Sequence, residues 1–250
     1  MVSVGRRVGR RGLQRQTWHV SCLVRFQPAA EENKIVTSMI AALFGLVGFG
    51  LLYWFAIRRW LRSWGATSEE IVRTMPGDSD VPDAIYRTTL AITIDAPPSA
   101  IWPWLVQMGY RRGGLYSYDW LDRACGFLDA PSAGRILPEC QRLQVGDVIP
   151  VGRGQGFPVK MLDPLRTLVL GGESDGVHWM WQLALYPIDA GHTRLVSRNR
   201  GDLPRTVGSI LFIAVLELAA FVMTRKMLLG LKRRAEVITA EGERVATNAV

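Results

Sequence analysis

The sequence predicts an α+β protein in which one N-terminal transmembrane helix precedes an antiparallel sheet and a long C-terminal helix. Three stretches lead to this prediction. Residues 35–57 form a run of 23 positions without a charged side chain. Residues 166–200 alternate like successive strands and are divided by Gly-Gly and Asp-Ala-Gly, which is typical of an antiparallel meander. Residues 207–236 follow a helical pattern, and basic residues gather at its end.

The formal charge of the 250-residue chain is +8, and most of it lies at the N-terminus. Seven Lys and Arg residues against two Glu residues place +5 in the first 34 positions, which leaves +3 for the rest. We predict that residues 1–34 form a disordered basic tail, with Met39 as an alternative in-frame start. Such a tail ahead of an apolar run is typical either of contact with anionic lipid headgroups or of a simply solvated segment. No motif of a nucleic-acid reader accompanies the charge, so nucleic acid is not an expected partner.

Residues 35–57 are long enough to cross a hydrocarbon core of ~30 Å at about 1.5 Å per helical residue. Tyr53, Trp54 and Trp60 cluster at the C-terminal end of this run together with Arg58 and Arg59. Aromatic and basic residues of this kind mark the boundary between membrane and water. Because the run is too long for a signal peptide and no small-x-small cleavage site follows, we expect a permanent single-pass anchor. The basic collar after it, together with unpaired cysteines, favours a cytoplasmic location for the rest of the chain.

The segment 58–85 is predicted to be a juxtamembrane linker with one short helix. Thr67 and Glu70 have the spacing of a capping box, which marks a helix start. Leu90, Ile92 and Ile94 then alternate with smaller or polar residues and predict a strand. Residues 97 and 98 are prolines, which cannot continue a sheet ladder but suit the first turn of a helix.

Glycines at 152, 154 and 156 resemble a phosphate-binding loop only superficially. A strand-like stretch, 157–162, follows them in place of a helix, and no Lys-Ser/Thr pair is present. A hairpin turn explains these glycines better. Further along, both faces of the 177–188 stretch carry apolar residues, so we expect both sides of the sheet to be covered.

Residues 207–224 are apolar enough to suggest a second membrane span. Only about 18 residues are apolar, however, and Glu217 lies in the middle, where a charge costs several kcal/mol unless it is paired. We therefore predict a long core helix here. A buried carboxylate needs a partner, and we expect Arg198 or Arg200 of the preceding strand to supply it.

Ten short stretches together resemble the bacterial membrane-anchored branch of the SRPBCC, or START-like, superfamily, which has the helix-grip fold. They are residues 64–67 (WGAT), 76–78 (PGD), 92–98, 102–109 (WPWLVQMG), 112–114 (RGG), 116–120 (YSYDW), 132–133, 138–139, 146–147 and 221–223 (FVM). The resemblance covers roughly residues 60–235. Gly134 and Cys140 depart from the pattern of this branch, so the loop 132–141 is expected to differ.

The resemblance implies a curved antiparallel sheet that wraps the C-terminal helix around a hydrophobic cavity. It places the START-like ligand-binding domain at 86–236 and leaves 237–250 as a disordered tail. The superfamily includes lipid-transfer domains, polyketide cyclases and ligand carriers, so it implies a hydrophobic guest without implying a reaction.

Eight residues are candidates for ligand binding, and each has a structural alternative. An aromatic loop offers both flat apolar contact and hydrogen bonds to a cavity rim, whereas tryptophans on strands pack in a core as readily as they line a cavity. The candidates are Trp104, Tyr116, Tyr118, Asp119, Trp120, Trp179, Trp181 and Glu217. No residue is assigned a catalytic role.

We therefore expect a membrane-tethered domain that binds a hydrophobic or amphipathic small molecule or a lipid, with the bilayer as its partner. One alternative is a cyclase or dehydratase in which Asp119, a tyrosine or His178 moves protons on a polyketide-like substrate. A second alternative is a scaffold whose cavity is filled by side chains. The three cysteines and three histidines lack metal-ligand spacing, so neither a metal nor a cofactor is expected, and buried free thiols are.

Overall fold

The computed structural model describes residues 29–174 and 176–248 and divides into two compact units, residues 1–49 and 50–250. Helix α1 spans Ala29–Leu52, and the apolar side chains along it are exposed. A π-helical turn, Tyr53–Ile57, and α2, Arg58–Ser63, follow it along the chain. The predicted anchor is therefore helical, as are residues 29–34 of the predicted tail, while residues 1–28 lie outside the described part.

A short helix, α3, spans Ser68–Val72 and starts at the predicted capping box. The Thr67 hydroxyl accepts a hydrogen bond from the Glu70 amide at 3.2 Å, and the Glu70 carboxylate accepts one from the Thr67 amide at 2.8 Å. Glu70 also pairs with Arg194, whose Nε lies 2.7 Å from Oε1. The linker before the sheet is thereby fixed to the sheet surface.

The sheet has six antiparallel strands in the order β1-β6-β5-β4-β3-β2. The elements up to the second strand are β1 (Tyr86–Ile94), α4 (Pro98–Val106), α5 (Asp119–Ala124) and β2 (Val148–Gly152). The others are β3 (Gln155–Asp163), β4 (Thr167–Ser174), β5 (Val177–Pro187), β6 (Thr193–Asp202) and α6 (Val207–Asn248). The predicted α+β class is confirmed, and the glycines near 154 do form the β2–β3 hairpin.

Both faces of the sheet are covered, as the apolar residues on both sides of β5 predicted. On the inner face, Trp181, Leu183 and Leu185 belong to the main core. On the outer face, Met180 clusters with Val81 and Ala84 of the segment that precedes β1. Alternate residues of one strand therefore enter two separate cores.

Helix α6 follows β1 from one end to the other. Near its start, Ile213 packs in a cluster with Tyr86, the first residue of β1. Further along, the Lys232 ammonium group donates to the Thr93 carbonyl at 2.9 Å and lies 3.1 Å from the Asp95 carboxylate. The 19 residues between these contacts rise about 28 Å at 1.5 Å each, which is close to the length of the strand.

Two expectations for this helix need correction. Residues 207–224 are not mainly core: of these, the structure buries only Ile213 and Glu217 fully, and the core segment lies later, at Met227–Ala235. The reason is that the sheet covers only one side of the first half of α6. The helix also continues to Asn248, through most of the segment for which we predicted a disordered tail.

Gly230 allows α6 to approach the loop after α4. A Cβ at this position would overlap the carbonyl oxygen of Tyr116 and lie 3.1 Å from the Tyr116 Cβ. Tyr116 has a φ of 57°, so its backbone is already in a conformation that L residues rarely adopt, and it cannot easily move away.

Gly230→Ala should lower the free energy of unfolding by about 1–3 kcal/mol, because the added methyl group overpacks a backbone contact and outweighs the better helix propensity of alanine. Chemical denaturation of the detergent-solubilised chain measures this. The matched control is Gly208→Ala on the same helix, where the nearest atom lies 3.7 Å from the new Cβ. A Gly230→Ala variant as stable as Gly208→Ala would contradict the close approach.

Candidate functional site

The predicted aromatic loop contains a buried polar centre. Tyr116 is buried, and its hydroxyl accepts a hydrogen bond from Gln107 Nε2 at 2.9 Å and donates to the Trp104 carbonyl at 3.3 Å. The rings of Trp104 and Tyr116 meet edge to face at 5.8 Å. Burial raises the pKa of Tyr116, so this hydroxyl stays protonated and serves as a fixed donor. Two of the predicted ligand contacts are thus brought together, inside the core.

The other three residues of this loop lie toward its surface. Both oxygens of Asp119 are occupied by Ser132, whose hydroxyl donates at 2.7 Å and whose amide donates at 3.1 Å. Tyr118 is partly buried beneath the ammonium group of Lys226, which lies 5.3 Å from the ring centroid. Trp120 is 69% exposed. Asp119 therefore joins the start of α5 to the loop at Ser132, which matches the structural alternative to a ligand contact.

Next to this loop lies a buried acid, Asp122, that sequence reasoning did not single out. Its two oxygens accept from the Ser117 hydroxyl at 2.7 and 2.6 Å. Burial raises the pKa of Asp122, the nearby charge of Asp119 raises it further, and the Ser117 hydrogen bond opposes both effects. The pKa of Asp122 in the folded protein therefore lies above that of a free aspartate.

This shift makes stability depend on pH. A carboxyl group whose folded pKa lies above its unfolded value contributes stability below the unfolded pKa, near 3.8, and loses it as pH rises through the folded pKa. Asp122→Asn removes that titration. We expect the variant to gain stability relative to the wild type as pH rises from 3.5 to 7, measured by denaturation at each pH. Glu139→Gln, on an exposed residue, is the control, and parallel pH profiles for Asp122→Asn and the wild type would refute the prediction.

The two tryptophans of β5 belong to different clusters. The Trp181 indole donates to the Ser197 hydroxyl at 3.0 Å within the main core. Trp179 stacks on Tyr86 at 4.9 Å at the end of the sheet where α6 begins. The eight predicted contacts therefore occupy several separate places: the Trp104–Tyr116 centre, the loop surface, the main core, the sheet end and the first half of α6.

The space between the sheet and its covering helices is filled by side chains. Those with no accessible surface come from every layer: Ile94, Ile101, Leu105, Met108, Leu168, Leu170, Leu183, Leu195, Leu228, Leu231 and Ala235. A side chain without accessible surface has no neighbouring space that admits a water molecule. The hydrophobic cavity implied by the resemblance is closed at these positions.

Glu217 lies under a pair of arginines from α2. Arg58 engages it through two nitrogens, with Nε 2.7 Å from Oε2 and Nη2 2.9 Å from Oε1. Arg62 adds Nε at 2.8 Å from Oε1 and a further contact through Nη2. The carboxylate itself is 2% exposed. The prediction that Glu217 is paired is confirmed, but the predicted partners are wrong.

The correction has a simple geometric cause. Arg198 and Arg200 leave β6 on the outer face of the sheet, away from α6. There the Nη1 of Arg198 lies 2.7 Å from Asp78 Oδ2, and Arg200 Nη1 lies 3.5 Å from Asp78 Oδ1. Asp78 and the backbone carbonyls around it hold both arginines on that side.

An arginine cleft of about 450 Å³ opens between α2 and the outer face of β1 and β6. Six guanidinium groups line it, from Arg58, Arg59, Arg62, Arg87, Arg198 and Arg200. In the part of the chain that the structure describes, two carboxylates pair with them, Glu217 and Asp78, which leaves a formal charge of +4. Burial lowers the pKa of Arg200, and the nearby charges of Arg87 and Arg198 lower it further, against the opposing effect of Asp78. The cleft carries more positive charge than its own acids neutralise.

Sequence reasoning interpreted the α2 arginines as a headgroup collar and did not connect them with the strand arginines. The alternation of Arg198 and Arg200 in β6 was a usable signal, because residues two apart share one face of a strand. No sequence pattern indicated that Arg87 would join these arginines. Only the folding of α2 onto β1 brings the two groups together, and spacing along the chain does not predict that contact.

The sequence also led to expectations about metal sites and about the burial of the cysteines. Within residues 29–174 and 176–248, no group of three metal-ligating side chains is found. Cys140 is buried as expected, whereas Cys125, at the end of α5, is exposed, contrary to the expectation of buried thiols. Its position as the C-terminal cap of a six-residue helix at the surface explains this. Cys22 lies outside the described residues.

Comparison with known proteins finds similar solved structures at low sequence identity. No family model matches the sequence, and no curated protein matches it. Among solved structures, the chain is similar to the polyketide-cyclase-like protein Cgl2372 from Corynebacterium glutamicum, with 19% identity over 61% of this chain and 93% of that one and a TM-score of 0.34. The Aha1 dimer from Colwellia psychrerythraea is similar with 18% identity over 61% of this chain and 98% of that one, and the TM-score is 0.35. Protein CV1439 from Chromobacterium violaceum is similar with 16% identity over 60% of this chain and 96% of that one, and the TM-score is 0.38.

The predicted helix-grip fold is confirmed by the arrangement of the chain's own elements. The six strands in the order β1-β6-β5-β4-β3-β2, with α6 packed along their inner face, are the helix-grip arrangement. The chain is therefore an α+β protein with the helix-grip fold, preceded by an apolar N-terminal helix.

Proposed function

We propose that the protein is a single-pass, membrane-anchored helix-grip domain that binds an amphipathic lipid of its own bilayer. The observation behind this proposal is the exposed apolar face of the first half of α6. Leu211, Val215, Leu218 and Val222 recur at intervals of three and four on the side of the helix opposite the buried Ile213 and Glu217, and the exposed residues Val207, Ile210 and Phe212 flank them. Val215, for example, is 73% exposed. A continuous exposed apolar surface of this kind marks an interaction site.

The path of α6 supports one membrane span rather than two. In the part of the chain that the structure describes, two helical stretches are long and apolar enough to cross a membrane, Asn33–Ser63 and Val207–Glu241. Helix α6, however, contacts one end of β1 through Ile213 and the other end through Lys232. If it crossed the bilayer, the sheet beside it would have to enter the hydrocarbon with its charged outer face. An interfacial position for residues 207–222 avoids that cost.

The ion pairs of Glu217 hold this apolar face beside the end of the anchor. Arg58 bonds Glu217 and also lies 4.1 Å from the Trp54 ring centroid. Tryptophan and arginine side chains of this type settle at the headgroup level. This contact supports an interfacial position for the exposed face of α6, next to residues 53–57.

The filled interior bears on where the lipid binds and on the alternative function. The lipid is assigned to the exposed face of α6, because the interior positions expected to hold it are occupied by side chains. The same observation favours a second candidate function, a scaffold that binds no small molecule. The structure gives less support to a cyclase or dehydratase, because its two candidate proton carriers have other partners. Asp119 accepts a hydrogen bond from Ser132, and His178 pairs with Glu173 at the surface at 3.1 Å.

Fluorescence quenching in bilayers tests the proposal. A bimane probe on Leu211→Cys, in a chain whose own cysteines are replaced by serine, should be quenched by lipids that carry a shallow nitroxide. The same probe on Ala240→Cys, exposed at the far end of α6, should not be. Lipid extracts of the purified chain should also contain co-purified phospholipid by mass spectrometry. Equal quenching at both positions, with no lipid retained, would favour the scaffold.

Cys125 offers a direct test of orientation, because it is exposed. The proposal places the domain in the cytoplasm, so an impermeant maleimide added to intact cells should fail to label a Cys22→Ser variant and should label it after permeabilisation. Labelling of Cys125 in intact cells would place the domain on the opposite side.

A further inference from the structure

We infer that the arginine cleft is a binding site for the phosphate headgroup of an anionic phospholipid. This inference rests on the proposed function and names a second part of the same lipid-binding surface. The cleft opens at the β1 edge of the sheet, between α2 and the arginines of the outer face, so it is separate from the cavity between the sheet and α6 that the resemblance implies. Its volume, about 450 Å³, falls within the ~300–1,000 Å³ typical of small-molecule sites.

The charge of the cleft is in excess of what the fold uses. Glu217 and Asp78 serve as partners for Arg58, Arg62, Arg198 and Arg200. Among the described residues, Arg87 bonds only backbone carbonyls, with Nε 2.8 Å from the Ala84 oxygen and Nη2 2.9 Å from the Pro82 oxygen. Unbalanced guanidinium groups gathered around a concave surface repel one another, and a bound anion relieves that repulsion.

The donors needed for a phosphate are free at the mouth of the cleft. Among residues 29–174 and 176–248, Arg59 makes no side-chain hydrogen bond or ion pair. Glu217 occupies Nε and Nη2 of both Arg58 and Arg62, which leaves each Nη1 without an acceptor among the described residues. The side chains of Arg58 and Arg62 are 18% and 24% exposed, so these donors remain accessible. Guanidinium groups bind phosphate oxygens through short, charge-assisted hydrogen bonds.

The surroundings of the cleft favour a lipid over free phosphate. Trp54, which lines the cleft, is the aromatic residue one helical turn before Arg58, at the end of the apolar anchor. A headgroup in the cleft would therefore have its acyl chains near the exposed apolar residues Leu51, Leu52 and Phe55, which precede Arg58 in the same compact unit. Free phosphate would use the arginines alone and gain nothing from this apolar border.

Binding of short-chain lipids to the full chain in a nonionic detergent tests the inference. The probes are dioctanoylphosphatidylglycerol, dioctanoylphosphatidylcholine and inorganic phosphate, each titrated by microscale thermophoresis. The test variant is Arg59→Glu, which disturbs no bond within the described residues. The control is Arg142→Glu, an exposed arginine on the loop before β2 that undergoes the same change of charge. Unchanged melting temperatures establish that both variants are folded.

We expect Arg59→Glu to weaken binding of phosphatidylglycerol at least about tenfold, through loss of a charge-assisted donor and added repulsion, and Arg142→Glu to leave it unchanged. Equal binding of both lipids to the wild type and to both variants would overturn the cleft assignment and leave the proposed function standing. If neither phosphatidylglycerol nor phosphatidylcholine binds the wild type, the proposed function is refuted. Inorganic phosphate that binds as tightly as phosphatidylglycerol, with the same dependence on Arg59, would overturn the assignment to a lipid.

Discussion

Replacement of Arg58 and Arg62 together by methionine is expected to lower the free energy of unfolding by about 3–5 kcal/mol, because it leaves the carboxylate of Glu217 buried without a partner. Glu217 is 2% exposed, and the four contacts from these two arginines are its only side-chain partners among the described residues. For a domain of this size the melting temperature should fall by roughly 10 °C. Thermal unfolding of the full chain in detergent measures the change.

The control for this prediction removes the charge as well as its partners. In the triple variant Arg58→Met, Arg62→Met, Glu217→Leu, no buried charge remains, and apolar groups of similar volume replace the ion pair. Such replacements are often neutral or stabilising. We therefore expect the triple variant to recover most of the lost stability. If the double variant is as stable as the wild type, the ion pair does not fix α6 to α2, and the placement of the apolar face beside the anchor loses its basis.

The elements of the fold were predictable because their signals are local. The alternation in 166–200 and 177–188 depends on residues two apart, and the capping box at Thr67 depends on residues three apart. These patterns reflect burial of one face of a strand or the start of a helix, which neighbours along the chain determine. The element order, and through the resemblance the helix-grip arrangement, followed from them.

The partners of Glu217 were not predictable in the same way. Burial of a charge requires a partner, and that requirement was apparent from the sequence. Which arginine supplies it depends on the side of the sheet from which each arginine points. Arg198 is near in sequence but lies on the outer face, whereas Arg58 is 159 residues away and lies beside α6. Spacing along the chain carries no information about that choice.

The filling of the interior by side chains could also not be predicted from sequence patterns. Trp104 and Trp181 have the same apolar character whether they line a cavity or fill it. The outcome depends on how the volumes of many side chains fit together, and that fit is a property of the whole fold. The arginine cleft could not be predicted from sequence patterns either, because its arginines come from α2 and from β1 and β6, which are far apart along the chain.

The second large expected effect on stability is that of Leu231→Ala. This substitution tests whether the interior between the sheet and α6 is closed. Leu231 has no accessible surface and belongs to the core cluster that contains Leu90 and Trp104. Loss of its side chain should lower the free energy of unfolding by about 2–5 kcal/mol, because transfer energy is lost and a cavity remains. The matched control on the same helix is Leu218→Ala. Leu218 is 56% exposed, so its truncation should change stability by no more than about 0.5 kcal/mol in detergent.

The new cavity also gives a readout specific to the helix-grip interior. An apolar void of this kind stays dry and accepts a small guest such as benzene. Benzene should therefore raise the melting temperature of Leu231→Ala and leave that of the wild type unchanged, because only the variant has room to bind it. If benzene stabilises both chains equally, or if Leu231→Ala costs no more than Leu218→Ala, the wild-type interior already holds a void. A hydrophobic guest would then belong between the sheet and α6, and the exposed face of α6 would be left to the membrane alone.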